Sequence, residues 1–200
     1  MDFFEVIRRR RSIRHFTGEP VKEEDILAML EAARLAPSAT NEQPWRFLVV
    51  RDRELKKQMQ DMVDAMIDMR IESEEDEARR KRIGQMRFYS NYFGDAPVVI
   101  AVLTKPWPAD FPELQGQQRF DSGLQSVATA IAHVHLAATA LGYGSCWATS
   151  PVDFAGEELE LMLGVEEPWS LVALVSVGMA ARAPSAAPRK SLGEIATFIG

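Results

Sequence analysis

The chain has 200 residues, of which 46% are hydrophobic, a size and apolar content suited to one globular domain with a real core. Its 23 basic and 29 acidic residues give a net charge of −6, the opposite of the basic surplus carried by proteins that bind nucleic acid nonspecifically. A single cysteine, Cys146, excludes an internal disulfide, no clustered His/Cys pattern suggests zinc, and no apolar run is long enough to span a bilayer.

The opening "MDFFEVIRRRR" places charge after a short apolar stretch, the reverse of a secretory signal, so a soluble cytoplasmic protein is expected. Asp2 can cap a first helix to about Arg10, with Phe3, Phe4, Val6 and Ile7 on its apolar side. "RRRRSIRHF" then sets five arginines within residues 8–14 of an acidic chain. Arg8 and Arg9 suit a helix C-terminus, where cations offset the dipole. The charges continue past the helix, however, and in extended backbone Arg10, Ser12 and Arg14 share one side. Two guanidiniums and a hydroxyl suit a phosphate and a neighbouring electron-rich group.

"PVKEEDILAMLEAARLAP" predicts a second helix, acidic at its start, with Ile26, Leu27, Leu30 and Ala33 at helical spacing and Pro37 closing it. "APSATNEQPW" is turn-forming, but Ser38, Asn41 and Gln43 also offer hydrogen-bonding groups suited to the edge of a heterocycle. "WRFLVV" (45–50) reads as a strand. Residues 52–92 are helical, charged and insertion-like, with Met59, Met62, Met66 and Met69 forming one stripe, read first as a packed face. Glu75–Arg79, Asp76–Arg80 and Glu77–Lys81 are spaced for i,i+4 ion pairs.

"APVVIAVL" (96–103) is a strand covered on both faces, and "FPELQGQQRFDSG" is loop-like. A long helix over about 120–141 ends at Gly142. "GSCWAT" and "SLVALVSVG" are two more strands, separated by a short helix at about 155–163, and "SAAPRKSLGEIATFIG" begins as coil. Helices alternating with buried strands predict an α+β domain over 1–200, with helices covering a central sheet. His133 and His135 sit two apart on a helix and face different ways, so they are not a metal pair. "GYG" at 142–144 follows a helix and lacks the remaining glycine of a dinucleotide fingerprint.

Four blocks, "RRSIRHF", "AARLAPSATNEQPWRFLVV", "LAATALGYGSCWATSP" and "PRKSLGEI", occur in an order and spacing that resembles the nitroreductase-like flavoprotein family. They are spread along the chain on both sides of residues 52–92. The resemblance implies a three-layer α/β/α fold with a mostly antiparallel sheet, an intertwined homodimer, and FMN at the interface. It implies that Arg10, Arg11, Ser12 and Arg14 hold FMN. Arg10 and Ser12 would lie toward the phosphate and ribityl chain, with Arg14 at the N1/O2 edge. Pro37, Ser38, Asn41 and Gln43 would approach from the other subunit. Trp147, Ala148 and Thr149 would run beside the ring, and Arg189, or its neighbour Lys190, would reach the phosphate. Arg14, permanently charged, suits the anion that a reduced flavin becomes at N1. No general acid or nucleophile is needed, because the hydride chemistry belongs to the cofactor.

The resemblance further implies NADH or NADPH as co-substrate and a nitroaromatic, quinone or similar flat acceptor, with no nucleic acid or membrane partner. One pocket serving two ligands in turn predicts ping-pong kinetics, and residues 52–92 would cover it as a lid. Reductive dehalogenation or breakdown of the flavin is the alternative within the fold. Iodotyrosine deiodinase-like members use Glu, Tyr and Lys from the covering segment, and residues 70–92 contain those types without matching that pattern. A non-catalytic flavin or anion binder is the remaining alternative.

Overall fold

The computed structural model describes residues 1–106 and 122–200. Four strands form one sheet in the order β1 (Trp45–Val50), β2 (Val98–Thr104), β4 (Ser170–Gly178), β3 (Gly144–Ala148), and every neighbouring pair is antiparallel. The first and last of the expected strands match the observed bounds residue for residue. The β2 expectation begins two residues early, because Ala96 and Pro97 end a 3-10 turn at Tyr92–Asp95.

Side chains alternate across β2 and so build two cores. Val98, Ile100 and Val102 join Ala173, Val175 and Val177 against α2 (Glu23–Arg34) and α5 (Ser122–Ala140), whose Met29, Ile131 and Val134 are buried there. Val99, Ala101 and Leu103 join Leu171 and Leu174 against α3 (Arg53–Ser73) and α6 (Ser150–Leu163). The result is a helix–sheet–helix sandwich, the α+β architecture expected. A bulge between Val102 and Leu103 shifts the β2–β4 register by one, so Leu103 meets Leu171 while Val102 meets Ala173.

The remaining helices are α1 (Phe3–Arg9), α4 (Glu77–Asn91) and the short α7 (Leu192–Ile195). Asp2 caps α1 by accepting from the Glu5 amide at 2.9 Å. Helix α2 stops at Arg34, short of Pro37, where Leu35 leaves helical geometry. Gly142, at φ 91°, turns the chain out of α5 and into β3. The polar stretch 111–123 lies outside the described residues except for Ser122 and Gly123, which open α5.

Residues 52–92 are a helical hairpin. The chain breaks at Glu74, and Asp76 caps α4 by accepting from the Arg79 amide at 3.0 Å. The i,i+4 pairs expected over 75–81 give way to this turn: Arg79 pairs with Glu74 at 3.4 Å and Arg80 donates to the Glu74 carbonyl. Met59 is fully buried, and Met62 and Met66 pack against the same core, whereas Met69 is 61% exposed near the hairpin tip. Arg87 holds α4 to α3 through Asp64 at 2.8 Å and through Asp68, and Asn91 donates to Asp64 at 2.5 Å. Helix α6 begins at Ser150, five residues before the expected start, so Thr149 is its N-cap and not a strand residue. The irregular backbone at Ala155 (φ −138°) marks where the sequence reading began that helix.

Candidate functional site

Past α1 the chain runs extended beside the sheet and is pinned at two points. Ser12 bridges Ser145, with the Ile13 amide donating to the Ser145 carbonyl at 2.9 Å, and Phe16 bridges Ala180. Ile13 turns inward and is buried, so Ser12 and Arg14 face the other way. Ile13 sits so close to the start of β3 that a Cβ on Gly144 would come within 2.6 Å of its side chain. Glycine at 144 is what lets the arginine segment lie against the sheet.

The outward side chains line a cavity of about 550 Å³. Arg8, Arg10, Arg11, Ser12 and Arg14 form one wall, and Pro184, Ser185, Ala186, Ala187 and Arg189 form the other. Five arginines and, among the described residues, no acidic side chain face this space. Arg9 points away and pairs with Glu5 at 3.3 Å. Arg8 therefore departs from the sequence reading, which left it with Arg9 as a helix end: the last turn of α1 rotates one of the two into the cavity and one out. Arg11 is fixed by donating from Nη1 to the carbonyls of Arg8 and Arg10, at 2.6 and 2.8 Å.

Arg14 is the most constrained of the set. Its guanidinium lies 5.5 Å from the ring centroids of both Tyr89 and Tyr92. Its Nε is buried and has no hydrogen-bond partner among the described residues. A buried cationic donor left unpaired is costly unless something else accepts from it. The neighbouring backbone is held by Tyr92, whose hydroxyl donates to Cys146 Sγ at 3.0 Å and lies 3.4 Å from the Trp147 carbonyl oxygen. Burial and the adjacent Cys146 push the Tyr92 phenol well above its ordinary range, so it stays protonated and donating.

His135 supports the same strand from behind. Its Nδ1 is 2.6 Å from Ser145 Oγ, and its ring stacks 6.4 Å from that of Trp147. Burial, with the Arg10 charge adding to it, lowers the His135 pKa to about 4, so the ring is neutral near pH 7. His133, two residues away, instead sets its Nδ1 2.9 Å from the Ala32 carbonyl oxygen. Trp147 is half-exposed, Ala148 is buried and Thr149 caps α6, so this segment leaves the sheet next to Arg14.

The structure thus brings Arg10, Arg11, Ser12, Arg14 and Arg189 to one cavity, whose described lining does not include Trp147, Ala148 or Thr149. Arg189, and not Lys190, is the residue that lines the wall. Pro37, Ser38, Asn41 and Gln43 stand elsewhere, on the loop before β1. There the Ser38 hydroxyl accepts from the Gln43 amide at 3.0 Å, and Ser126 Oγ accepts from the Ala39 amide at 3.1 Å. Thr40, Asn41 and Gln43 all carry positive φ, at 51°, 59° and 51°, a strained conformation for three residues that are not glycine. Pro37, Asn41 and Gln43 are exposed and Ser38 partly so, and none of the four lines the arginine cavity of its own chain.

Sequence reasoning passed over Tyr89, Tyr92 and His135. The tyrosines lie in "FYSNYF" (88–93), an aromatic density at the end of α4 whose contact with Arg14 no local pattern announces. A second cavity of about 310 Å³ adjoins the first, where Phe88 and Tyr89 meet Arg14, His15 and Arg182.

Comparison with known proteins shows the family to which this fold belongs. A protein of Archaeoglobus fulgidus provisionally named NADH dehydrogenase/NAD(P)H nitroreductase is 33% identical over 174 residues, 86% of this chain and 82% of the relative. Iodotyrosine deiodinase 1 of Rattus norvegicus is 27% identical over 206 residues, 97% of this chain and 68% of the relative. The crystal structure of a BluB-like flavoprotein from Clostridium difficile 630 superposes with a TM-score of 0.89 at 30% identity, covering 100% of both chains. The model of the nitroreductase family matches residues 7–179, from the last turn of α1 to the end of β4, so this chain belongs to the nitroreductase family.

Proposed function

We propose that the chain is an FMN-dependent oxidoreductase that draws reducing equivalents from NADH or NADPH and passes them to a nitroaromatic, quinone or similar flat acceptor. The observation that carries the reading is the five-arginine cavity with the orphaned Arg14 Nε, in a chain of this family. The donor set fits the cofactor. Arg10, Ser12 and Arg189 offer charge-assisted and neutral donors to a phosphate, and Arg14 offers a fixed cation to the N1/O2 edge of the ring.

When bound, FMN would supply the hydride-accepting and hydride-donating centre. The chain's own residues bind, orient and polarise. Tyr89 and Tyr92 hold the Arg14 guanidinium in place, each ring centroid 5.5 Å from it. Tyr92, at Cys146 and the Trp147 carbonyl, and His135, at Ser145 and the Trp147 ring, hold the end of β3 in place for a ligand beside it. Pro37, Ser38, Asn41 and Gln43 would act on the cofactor of the partner in a homodimer. The exposure of Pro37, Asn41 and Gln43 supports that role. So do the exposed apolar side chains of Phe3, Phe4, Leu192, Ile195, Phe198 and Ile199, which a second copy would cover. A cytoplasmic setting is consistent with the absence of any helix, among the described residues, long and apolar enough to cross a membrane.

The visible spectrum of the purified protein is the first test, since it must show oxidised flavin. Anaerobic NADH or NADPH should then bleach it, and quinone or nitroaromatic should restore it. A colourless protein that takes up no FMN would overturn the proposal. The deiodinase likeness favours a second reading, reductive dehalogenation; release of iodide from an iodinated aromatic, without nitro or quinone reduction, would support it.

A further inference from the structure

A third cavity, of about 580 Å³, lies between the tip of the α3–α4 hairpin and the first turns of α6. The flavin reading leaves it unused. Arg70, Arg79 and Arg82 face it together with Met69 and Phe154, and two acids, Glu74 and Asp153, line it as well. Arg79 is occupied by Glu74, at 3.4 Å. Arg70 and Arg82 make no side-chain hydrogen bond or ion pair among the described residues, and both are exposed. They come from different helices and converge on one space beside an apolar floor. A surface that only needed solubility would scatter such charges, and the hairpin has acids enough nearby to pair them.

The position matters as much as the chemistry. The Ser90 and Ser150 hydroxyls are hydrogen-bonded to each other, so the end of α4 meets the start of α6 directly after Thr149. From Ser90 back to Arg82 is eight residues of helix, about 12 Å along its axis. Phe154 lies one turn into α6 on the same side. The cavity therefore begins one helical turn from Thr149, whose carbonyl accepts from the Asp153 amide at 3.0 Å, and reaches back along α4 to Arg82.

We infer that this cavity receives the adenosine 2′-phosphate end of NADPH, and that Arg70 and Arg82 select NADPH over NADH. The inference rests on the nicotinamide-using reading above. Two guanidiniums match a phosphomonoester, which carries nearly two charges and three acceptor oxygens that NADH lacks. Met69 and Phe154 supply apolar surface for the adenine, and Asp153 supplies an acceptor for its exocyclic amine or the ribose hydroxyl.

Two measurements on the flavin-loaded protein test this. In steady-state turnover with a quinone acceptor, kcat/KM should favour NADPH. The double variant Arg70→Ala/Arg82→Ala should lower the NADPH-to-NADH ratio roughly 10- to 100-fold. Lys81→Ala, which removes a charge from the same helix outside the cavity, should leave the ratio where it is. Calorimetry with 2′,5′-ADP gives a readout independent of turnover: it should bind at least about tenfold tighter than 5′-AMP, and the double variant should abolish the difference. Equal affinity for the two nucleotides, or an unchanged ratio in the double variant, would overturn the inference. Failure of both nicotinamides to reduce the flavin, with selective 2′,5′-ADP binding intact, would instead count against the nicotinamide reading and leave this site standing as an adenosine-phosphate site.

Discussion

Replacing Arg14 with Ala separates binding from folding. In the folded chain Arg14 contributes two cation–π contacts, worth ~0.5–2 kcal/mol together. It also leaves a buried Nε unpaired, a penalty of ~1–3 kcal/mol that the variant removes. The two nearly cancel, so the stability of the flavin-free protein should change by less than about 1 kcal/mol. Flavin binding loses a charge-assisted hydrogen bond worth ~1.5–3 kcal/mol with nothing to offset it, or about 10- to 100-fold in Kd. At a hundredfold excess of flavin over Kd, the ligand adds ~2.7 kcal/mol to the wild type and at most about half that to the variant. For a chain of this length the loaded melting point should fall by ~3–5 °C or more while the flavin-free one hardly moves. The matched control is Arg9→Ala, which breaks only the exposed pair with Glu5 and should cost ~0.5 kcal/mol or less. Flavin fluorescence titration and paired thermal melts supply both quantities. An equal loss of flavin affinity in the Arg9 variant would return the cluster to a plain basic patch. A flavin-free melting point that drops as far as the loaded one would show that Arg14 serves the fold and not the ligand.

Three other expectations follow from particular contacts. The His135 pKa of about 4 is below that of an unfolded histidine, so the unfolded chain takes the proton first. Stability is present above pH 6.5 and drains as pH falls toward 4; urea titrations should lose ~2 kcal/mol between pH 7 and 5, and His135→Gln should flatten that slope. Gly144→Ala drives a methyl into Ile13 and should cost ~1–3 kcal/mol while loosening flavin, read from melts and flavin content. Thr40→Gly relieves a β-branched residue at φ 51° and should raise stability by ~0.5–1 kcal/mol, whereas a lower melting point would remove the claim of strain.

Strands β1 and β4 were legible because each is a mostly apolar run of strand length: only Arg46 breaks WRFLVV, a half-buried strand at the sheet edge, and only Ser176 breaks the buried interior of SLVALVSVG. The same logic found the alternating cores of β2. The turn at Glu74–Asp76 was hidden because its residues are as polar and helix-compatible as those around them, and only the Asp76 cap ends the ambiguity. In the site, Arg10, Ser12 and Arg14 were readable from period-two spacing. Arg8 was not, since helical phase at the last turn decides between it and Arg9. Tyr92 and His135 were beyond reach for a different reason: their value lies in contacts across 54 and 10 residues of chain, and no local pattern encodes those.

The walls of the arginine cavity come from residues 7–14 and 184–189, opposite ends of the polypeptide. An anion seated there ties both ends at once, closing a loop that contains nearly every residue of the domain. It acts as a removable cross-link, cutting the freedom of the two segments most prone to fray. Within its own chain the tail after β4 is largely exposed, so cleavage by an endoprotease within 182–190 should be slower in loaded protein than in flavin-free protein. Cofactor content would then be recorded in how long the chain keeps its ends.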